Sequence, residues 1–177
     1  MLFHSHYQRD QRIAPADLKA ARRGDLPAFN RLVAAHQDEI YTLSYRALGD
    51  EQQAGDAARA AVAQAFVNIA GWREGEFKLW LLRWVVLACQ ERLRTVSLTG
   101  AIALRTAEPG TAQALQDRLC HLPAEPRMAI VLVDVAGLDY AEAAAVLGNS
   151  RERVCGCVAD ARRRLTLTSS SAQIAAA

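Results

Sequence analysis

One stretch near the C-terminal end decides the fold: GLDYAEAAAVLGNSRERVCGCVADARRRL, which occupies residues 137–165. Ala144 is small enough to let a second helix approach closely, and Gly148 suits a tight turn between two helices. Beyond the turn, apolar residues recur every three or four positions, at Val154, Val158, Ala161 and Leu165. Such a stripe forms the inward face of a helix, so the spacing predicts a helix-turn-helix.

The outer face of the second predicted helix is basic. Arg151, Arg153 and Cys155 lie on or beside this face, because the inward stripe occupies the other positions. Five arginines against two acidic residues fall between residues 150 and 165. This cluster suits contact with phosphate groups. An antiparallel helical hairpin with a solvated basic face is the alternative that the spacing leaves open.

Composition favours helices and excludes several classes of protein. Of the 177 residues, 51% are hydrophobic and 23% are charged, and there are only 10 glycines and 5 prolines. No uncharged stretch approaches the roughly 20 apolar residues of a membrane span, so we expect no membrane insertion. The first residues lack the apolar core of a secretory signal, and the four cysteines do not make a disulfide framework. We therefore expect a reduced, cytoplasmic protein.

Apolar spacing in the first half predicts a bundle of helices. Residues 29–47 carry one apolar stripe, which we interpret as a single helix that ends at Gly49. A second helix is predicted from about Gln53 to Ile69 and a third from Phe77 to about Arg94. The polar segment 71–77 between them is too short to be anything but a loop.

A change of composition divides the chain into two parts. Residues 96–111 contain small residues, the pair Pro109-Gly110 and no sustained helical stripe, which predicts a linker. Helices are expected beyond it at about 111–122, 125–136, 140–147 and 150–165. Residues 167–177 are expected to form a flexible tail. The sequence thus predicts an all-α protein with two small helical domains, 15–95 and 112–166, of which the second is a helix-turn-helix.

Three stretches resemble bacterial RNA polymerase sigma factors of the extracytoplasmic-function group, within the sigma-70 family. The opening of region two resembles RGDLPAFNRLVAAHQDEIYTLSYRALGD, residues 23–50, and its end resembles EFKLWLLRWVVLACQERLR, residues 76–94. Region four resembles HLPAEPRMAIVLVDVAGLDYAEAAAVLGNSRERVCGCVADARRRL, residues 121–165. Three ordered matches are much more specific than a single helix-turn-helix.

The resemblance implies an alternative sigma factor that directs promoter-specific transcription initiation, with no catalysis and no cofactor. In that family, both regions bind core RNA polymerase. Region two also captures melted bases of the minus-ten element, and region four enters the major groove of the minus-thirty-five element. The implied partners are core RNA polymerase and promoter DNA, with an anti-sigma factor as a further partner that the sequence does not identify.

The resemblance also assigns roles to single residues. The loop that begins at Trp72 matches the family loop that receives an extruded base, and an aromatic ring beside an arginine suits base stacking. The expected DNA contacts are Trp72, Arg73, Phe77, Lys78, Arg83, Ser150, Arg151, Arg153, Cys155, Arg162 and Arg163. The expected polymerase contacts are Asp50, Asp56 and Arg59.

The chain departs from the family pattern at both expected interfaces. Residues 56–60 read Asp-Ala-Ala-Arg-Ala where the family usually has Asp-Leu-x-Gln-Glu. In the second helix of the helix-turn-helix, the usual Lys-Ser-Arg is replaced by Cys155, Gly156 and Cys157. We therefore expect weak or unusually specific minus-thirty-five binding. A sigma-like DNA-binding regulator that no longer engages polymerase productively is the alternative function.

Cys155 and Cys157 also invite a metal or redox interpretation. Residues two apart on a helix point about 200° apart, so both thiolates can face one ion only if the helix unwinds at Gly156. No metal site is therefore predicted. No serine, cysteine or carboxylate pair has a spacing that suggests catalysis, which leaves a small helical enzyme with little support.

Overall fold

The structure is a computed structural model that describes residues 14–73, 76–99 and 111–175. Every regular element in these ranges is helical, which confirms the all-α prediction. The helices are α1 (Pro15–Ala21), α2 (Leu26–Ala34), α3 (Gln37–Leu48), α4 (Glu51–Asn68), α5 (Phe77–Thr99), α6 (Ala112–Cys120), α7 (Ala124–Ile130), α8 (Tyr140–Leu147) and α9 (Arg151–Ala175). None of these described helices combines the length and hydropathy that crossing a bilayer requires.

Residues 29–47 form two helices, so the prediction of a single helix was wrong. α2 ends before Ala35, and α3 begins after His36, whose backbone lies at φ −120° and ψ 4°. The N–H of His36 donates to the carbonyl of Val33 at 2.9 Å, which closes a tight turn. The apolar stripe is nevertheless buried on both sides of the break, at Phe29, Leu32, His36, Ile40, Leu43 and Ala47. No glycine or proline marks the break in the sequence.

Gly49 and Asp50 make the corner between α3 and α4. Gly49 adopts the predicted left-handed conformation at φ +75°, and its N–H donates to the carbonyl of Tyr45 at 2.8 Å. The carboxylate of Asp50 accepts a hydrogen bond from the N–H of Gln53 at 2.8 Å and so caps α4. This cap starts α4 two residues before the predicted position.

α5 is the central helix of the first half. It packs on α3 and α4, and its buried side chains include Leu81, Leu82, Val85, Val86 and Cys89. The helix continues to Thr99, beyond its predicted end near Arg94 and into the predicted linker 96–111. Residues 100–110 of that linker lie outside the described ranges.

α8 and α9 form the predicted helix-turn-helix. Asp139 begins α8 with a capping box: its carboxylate accepts from the N–H groups of Ala141 at 2.7 Å and Glu142 at 2.8 Å. The carboxylate of Glu142 accepts in return from the N–H of Asp139 at 2.8 Å. Gly148 makes the turn at φ +69°. The buried face of α9 is the predicted one, with Val154, Val158 and Ala161 each at most 1% exposed.

Two helix ends in the second half differ from the prediction. α9 continues to Ala175, so residues 167–175 are helical where a flexible tail was expected. Extending a helix that has already formed requires no new nucleus, which favours this continuation. α7 ends at Ile130 and passes into a π-helical turn at Val131–Val135, in which the N–H of Ala136 donates to the carbonyl of Val131 at 2.9 Å.

The two halves pack against each other. α6 lies against α3, and α8 lies against α5. Their buried apolar side chains join in one continuous cluster. The sequence predicted two domains and a linker, but it offered no reason to expect this contact.

Replacing Asp139 by alanine should destabilise the protein by about 1 kcal/mol, because two N–H groups of α8 lose their acceptor. Urea denaturation followed by circular dichroism measures the change. Asp139→Asn is the matched control, since asparagine is an equally good N-cap. Equal losses of stability in the two variants would contradict the capping role.

Candidate nucleic-acid and polymerase interfaces

The first turns of α9 present a basic, exposed surface. Arg151, Arg153 and Cys155 are exposed, whereas Val154 between them is buried. The hydroxyl of Ser150 accepts a hydrogen bond from the N–H of Arg153 at 3.2 Å, which satisfies one of the free N–H groups at the helix start. The side chains therefore lie on the outer face, where the spacing of the stripe placed them.

Arg153 is oriented by an acidic residue of α7. Its Nη2 lies 2.7 Å from Oε2 of Glu125, and its Nε donates to Oε1 of the same carboxylate at 2.5 Å. This hydrogen bonding lowers the pKa of Glu125 and raises the pKa of Arg153. Both groups are thus charged at neutral pH, and a DNA phosphate has to compete with Glu125 for the guanidinium.

The arginines further along α9 are also paired. Nη2 of Arg162 lies 2.6 Å from Oδ1 of Asp134. Asp160 accepts from Arg163 at 3.0 Å and from Arg164 at 2.8 Å, and these hydrogen bonds lower its pKa. The positive charge that the sequence shows in this helix is therefore partly neutralised by neighbouring carboxylates. The sequence could indicate the pair within α9 but not the one with Asp134.

The aromatic residues of the loop before α5 are partly closed off. Phe77 is 2% exposed, and its ring lies 6.4 Å from Trp72 and 5.6 Å from Trp80, measured between centroids. It has no free face for a base, so its predicted role as a direct DNA contact does not fit its position. Trp72 is half-buried, and Arg73 is exposed. Glu74 and Gly75 lie outside the described ranges.

Lys78 and Arg83 on α5 both contact other parts of the protein. Nζ of Lys78 lies 2.6 Å from Oε1 of Glu39, and the other oxygen of Glu39 lies 3.3 Å from Nδ1 of His36. Arg83 is exposed, and its Nη1 donates to the carbonyl of Ala145 in α8 at 3.1 Å. Lys78 is thus paired with a carboxylate, whereas Arg83 keeps an exposed side chain with one hydrogen bond to a backbone carbonyl.

An apolar groove of about 490 Å³ lies between α2, α3 and α4. It is lined by Leu26, Phe29, Asn30, Val33, Gln37, Ile40, Ala58, Arg59, Val62, Ala63 and Phe66. Leu26 is 48% exposed, and Arg59 forms an ion pair with Asp56. Asp56 and Arg59 are predicted polymerase contacts, whereas Asp50 is occupied in capping α4. The sequence does not indicate this groove, because its walls come from separate helices.

Cys155 and Cys157 lie on an unbroken helix that includes Gly156. Cys155 is exposed and Cys157 is half-buried, and burial raises the pKa of Cys157. Within the described ranges, no three His, Cys, Asp or Glu side chains converge in a way that could hold a metal ion.

Comparisons with known proteins identify the family. The family model for Sigma-70 region 2 matches residues 32–98, and that for Sigma-70, region 4 matches residues 112–155. The chain is 36% identical over 160 residues to the ECF RNA polymerase sigma factor SigM of Mycobacterium tuberculosis, covering 85% of this chain and 82% of SigM. It is 31% identical over 139 residues to the ECF RNA polymerase sigma factor SigE of Mycolicibacterium smegmatis, covering 70% of this chain and 54% of SigE.

Solved structures show the same fold. CnrH in complex with the cytosolic domain of CnrY superposes with a TM-score of 0.69 at 25% identity, covering 88% of this chain and 96% of CnrH. The sigma factor RpoE from Bartonella quintana, in complex with the anti-sigma factor NepR, gives a TM-score of 0.64 at 22% identity. That superposition covers 79% of this chain and 95% of RpoE.

The fold and the sequence matches together define a transcription initiation factor with regions 2 and 4 of the sigma-70 family. The chain belongs to the extracytoplasmic-function sigma factors, and its function is that of an alternative sigma factor in promoter-specific transcription initiation. The expected resemblance is thereby confirmed. Nothing in the comparisons favours the alternative function, a sigma-like DNA-binding regulator that no longer engages polymerase productively.

Replacing Glu39 by glutamine should lower stability at pH 7 by less than about 1 kcal/mol, because the carboxylate is partly exposed. Hydrogen bonds from His36 and Lys78 lower the pKa of Glu39 below its ordinary value of 4.5. Its stabilisation is therefore present above that value and is lost as the pH falls through the lowered pKa. Urea denaturation at several pH values measures the difference between variant and wild type. A difference that persists unchanged well below pH 4.5 would contradict the assignment.

Proposed function

We propose that the outer face of α9 contacts the minus-thirty-five DNA. Arg151 lies at the centre of this contact, with Ser150, Arg153 and Cys155 beside it. The observation that carries the proposal is the exposure of these residues in the first turns of the second helix of a helix-turn-helix, the part that enters the major groove. The positive end of the helix dipole at this terminus adds to the attraction for phosphate.

Arg162 and Arg163 contribute phosphate contacts farther from the base edges. Their pairs with Asp134 and Asp160 are exposed, and exposed ion pairs are worth only about 0–1 kcal/mol. Exchanging a carboxylate for a phosphate therefore costs little. This exchange makes binding sensitive to salt.

In region 2, we propose that the minus-ten strand follows α5 and the loop before it. The phosphates of this strand contact Arg73, Lys78 and Arg83. A base stacks on the ring of Trp72. Phe77 supports Trp72 from the core instead of touching the base. The proposal is supported by the neighbouring positions of Trp72 and Arg73, one half-buried and the other exposed.

The groove between α2, α3 and α4 is the proposed docking site for core RNA polymerase. An apolar centre with a polar rim is the usual anatomy of a protein interface. Here the groove supplies the apolar centre, and Asp56 and Arg59 supply charges at its edge. Ala57 and Ala60 stand where the family usually has leucine and glutamate, so the groove carries more of the affinity. Asp50 acts indirectly, by fixing the start of α4.

The chain has two proposed functional units, residues 15–95 and 112–166. Residues 96–111 connect them, and residues 167–177 lie outside both. The protein works in the cytoplasm and contributes binding energy, with no covalent chemistry of its own. An anti-sigma factor is a further proposed partner, supported by the likeness to RpoE, which was solved with the anti-sigma factor NepR.

Run-off transcription tests the function directly. Purified protein, core RNA polymerase of the same host and fragments of the host genome should together produce transcripts from specific promoters. Omitting the protein should abolish them. DNA binding without any promoter-specific transcript would instead support the regulator that no longer engages polymerase.

Cys155→Lys should tighten binding to the promoter duplex about tenfold at low salt, because it restores a cation on the face of α9 that meets the major groove of the DNA. The slope of log affinity against log salt should steepen by about one. Fluorescence anisotropy over a range of salt concentrations measures both quantities. Thr166→Lys is the matched control, because it adds the same charge at an exposed position of α9 far from its first turns. The same gain in both variants, or no gain with Cys155→Lys, would refute the proposed geometry.

Ala63→Asp should weaken binding to core RNA polymerase at least about tenfold, because it leaves an unpaired carboxylate in a desolvated interface. Ala63 is exposed and lines the groove. Gln64→Asp is the control, since the exposed Gln64 does not line the groove. Surface plasmon resonance on immobilised polymerase gives the affinities, and circular dichroism verifies the fold. Equal affinities for the two variants would place polymerase elsewhere.

A further inference from the structure

We propose that Glu125 is a positioning residue for promoter recognition. It holds the guanidinium of Arg153 so that the remaining N–H groups form a fork that selects a guanine in the minus-thirty-five element. This inference rests on the proposed contact between α9 and the minus-thirty-five DNA. It adds the base that is selected and a residue outside α9 that sets the preference.

The pair of Glu125 and Arg153 joins two helices that pack against each other. Glu125 lies in the first turn of α7, and Arg153 lies in the first turn of α9, 28 residues later. Nε of Arg153 donates to Oε1 of Glu125 at 2.5 Å, and Nη2 donates to Oε2 at 2.7 Å. Both carboxylate oxygens thus meet the same edge of the guanidinium. Such a bidentate contact fixes the plane of the guanidinium, which a single hydrogen bond leaves free to turn.

The pairing leaves a second edge of the Arg153 guanidinium open. Nε carries one N–H group, whereas Nη1 and Nη2 each carry two. Glu125 accepts from Nε and from one N–H of Nη2. The edge formed by Nη1 and Nη2 therefore still offers two parallel N–H groups. The side chain of Arg153 is 61% exposed, so a ligand can reach this edge while Glu125 stays in place.

A fork of two N–H groups matches guanine better than it matches the other bases. In the major groove, guanine presents two acceptors, N7 and O6. Adenine presents one acceptor beside a donor, cytosine presents a donor, and thymine presents one acceptor beside a methyl group. A backbone phosphate also accepts from a fork, but it is the same in every sequence. Dependence on the base therefore distinguishes the two kinds of contact.

Position along α9 separates Arg153 from the other arginine that is held by a carboxylate of a different element. Arg162 makes a similar pair, with Nη2 2.6 Å from Oδ1 of Asp134 and Nε 3.3 Å from Oδ2. It lies about 13 Å farther along the helix axis than Arg153. The N-terminal residues of the second helix of a helix-turn-helix contact the base edges. Arg153 is therefore placed for a base and Arg162 for a phosphate.

The charge of Glu125 also disfavours contacts that lack the guanine. Hydrogen bonding to Arg153 lowers the pKa of Glu125, so the carboxylate is ionised at neutral pH. A carboxylate beside the first turn of α9 repels phosphate oxygens of any sequence. Only a duplex that offers two acceptors to the fork compensates for this repulsion. Removing the charge should thus raise the affinity for unselected DNA and lower the preference for guanine.

Selection of promoter DNA by the reconstituted holoenzyme tests the preference. Core RNA polymerase with the full-length protein is offered a promoter fragment obtained by run-off transcription, in which the minus-thirty-five element has been randomised, and the bound fragments are sequenced. The wild type should enrich guanine at one position. Arg153→Lys and Glu125→Gln should each reduce this enrichment at least about fivefold. Lysine has no fork, and the amide of glutamine has one acceptor where the carboxylate has two.

Glu152→Gln is the matched control. It removes the same charge from the first turn of α9, but the carboxylate of Glu152 accepts hydrogen bonds from Ser150 and from its own backbone. Both glutamine variants should bind an unselected duplex about two- to threefold more tightly, because a negative charge near the phosphates is lost. Only Glu125→Gln should reduce the enrichment of guanine. Circular dichroism verifies that each variant is folded.

Replacing the enriched guanine by 7-deazaguanine gives a readout that a merely structural role of Glu125 would not move. This base lacks the N7 acceptor but still pairs with cytosine. The wild-type holoenzyme should bind the modified promoter roughly fivefold more weakly than the unmodified one, as expected for the loss of half of a bidentate contact. The holoenzyme with Glu125→Gln should change by less than about twofold. Fluorescence anisotropy of the labelled promoter measures both differences.

The outcomes separate this inference from the proposed function. Guanine enrichment that survives both Arg153→Lys and Glu125→Gln overturns the inference and leaves the proposed DNA face of α9 intact. Equal weakening for every sequence in Arg153→Lys also overturns it, because a phosphate contact gives that result. A wild-type holoenzyme that transcribes but enriches no base in the minus-thirty-five element overturns both the inference and the proposed contact of α9.

Discussion

The arrangement of this sigma factor depends on how the C-terminal end of α3 is capped. The carbonyls of Tyr45, Arg46 and Ala47 accept hydrogen bonds from Gln116 and Arg127, which are 70 to 80 residues away in the chain. The capping places α6 on the end of α3, and the packing of α8 on α5 accompanies it. Hydrogen bonds to helix ends are directional, so this interaction fixes an orientation that apolar burial alone would leave loose.

Several of the cations expected to meet DNA already have carboxylate partners. Arg153 pairs with Glu125, Arg162 with Asp134, and Lys78 with Glu39. The carboxylates of Glu125 and Asp134 thus offset part of the positive charge of α9. The pairs also mean that binding of DNA phosphates proceeds by exchange of partners, in which the favourable term is the release of counterions from the nucleic acid.

Local features were predictable because their causes lie within a few residues. The helix-turn-helix followed from Ala144, Gly148 and the apolar stripe of α9, and the end of α3 followed from Gly49. Features that depend on contacts between distant residues could not be predicted in this way. The burial of Phe77 depends on the packing of its ring against Trp72 and Trp80, and the groove beside Arg59 depends on two helices lying at the right separation.

The sequence by itself determined the helical class, the family, and the buried stripes of residues 29–47 and of α9, since hydrophobic periodicity and turn residues act at short range. Only the tertiary structure decided which arginines are paired, which aromatic rings are exposed, and that region 4 rests on region 2. These outcomes depend on contacts between residues far apart in the chain. A buried Gln116 and a buried Arg127 look like ordinary polar residues until the carbonyls that receive them are brought into place by the fold.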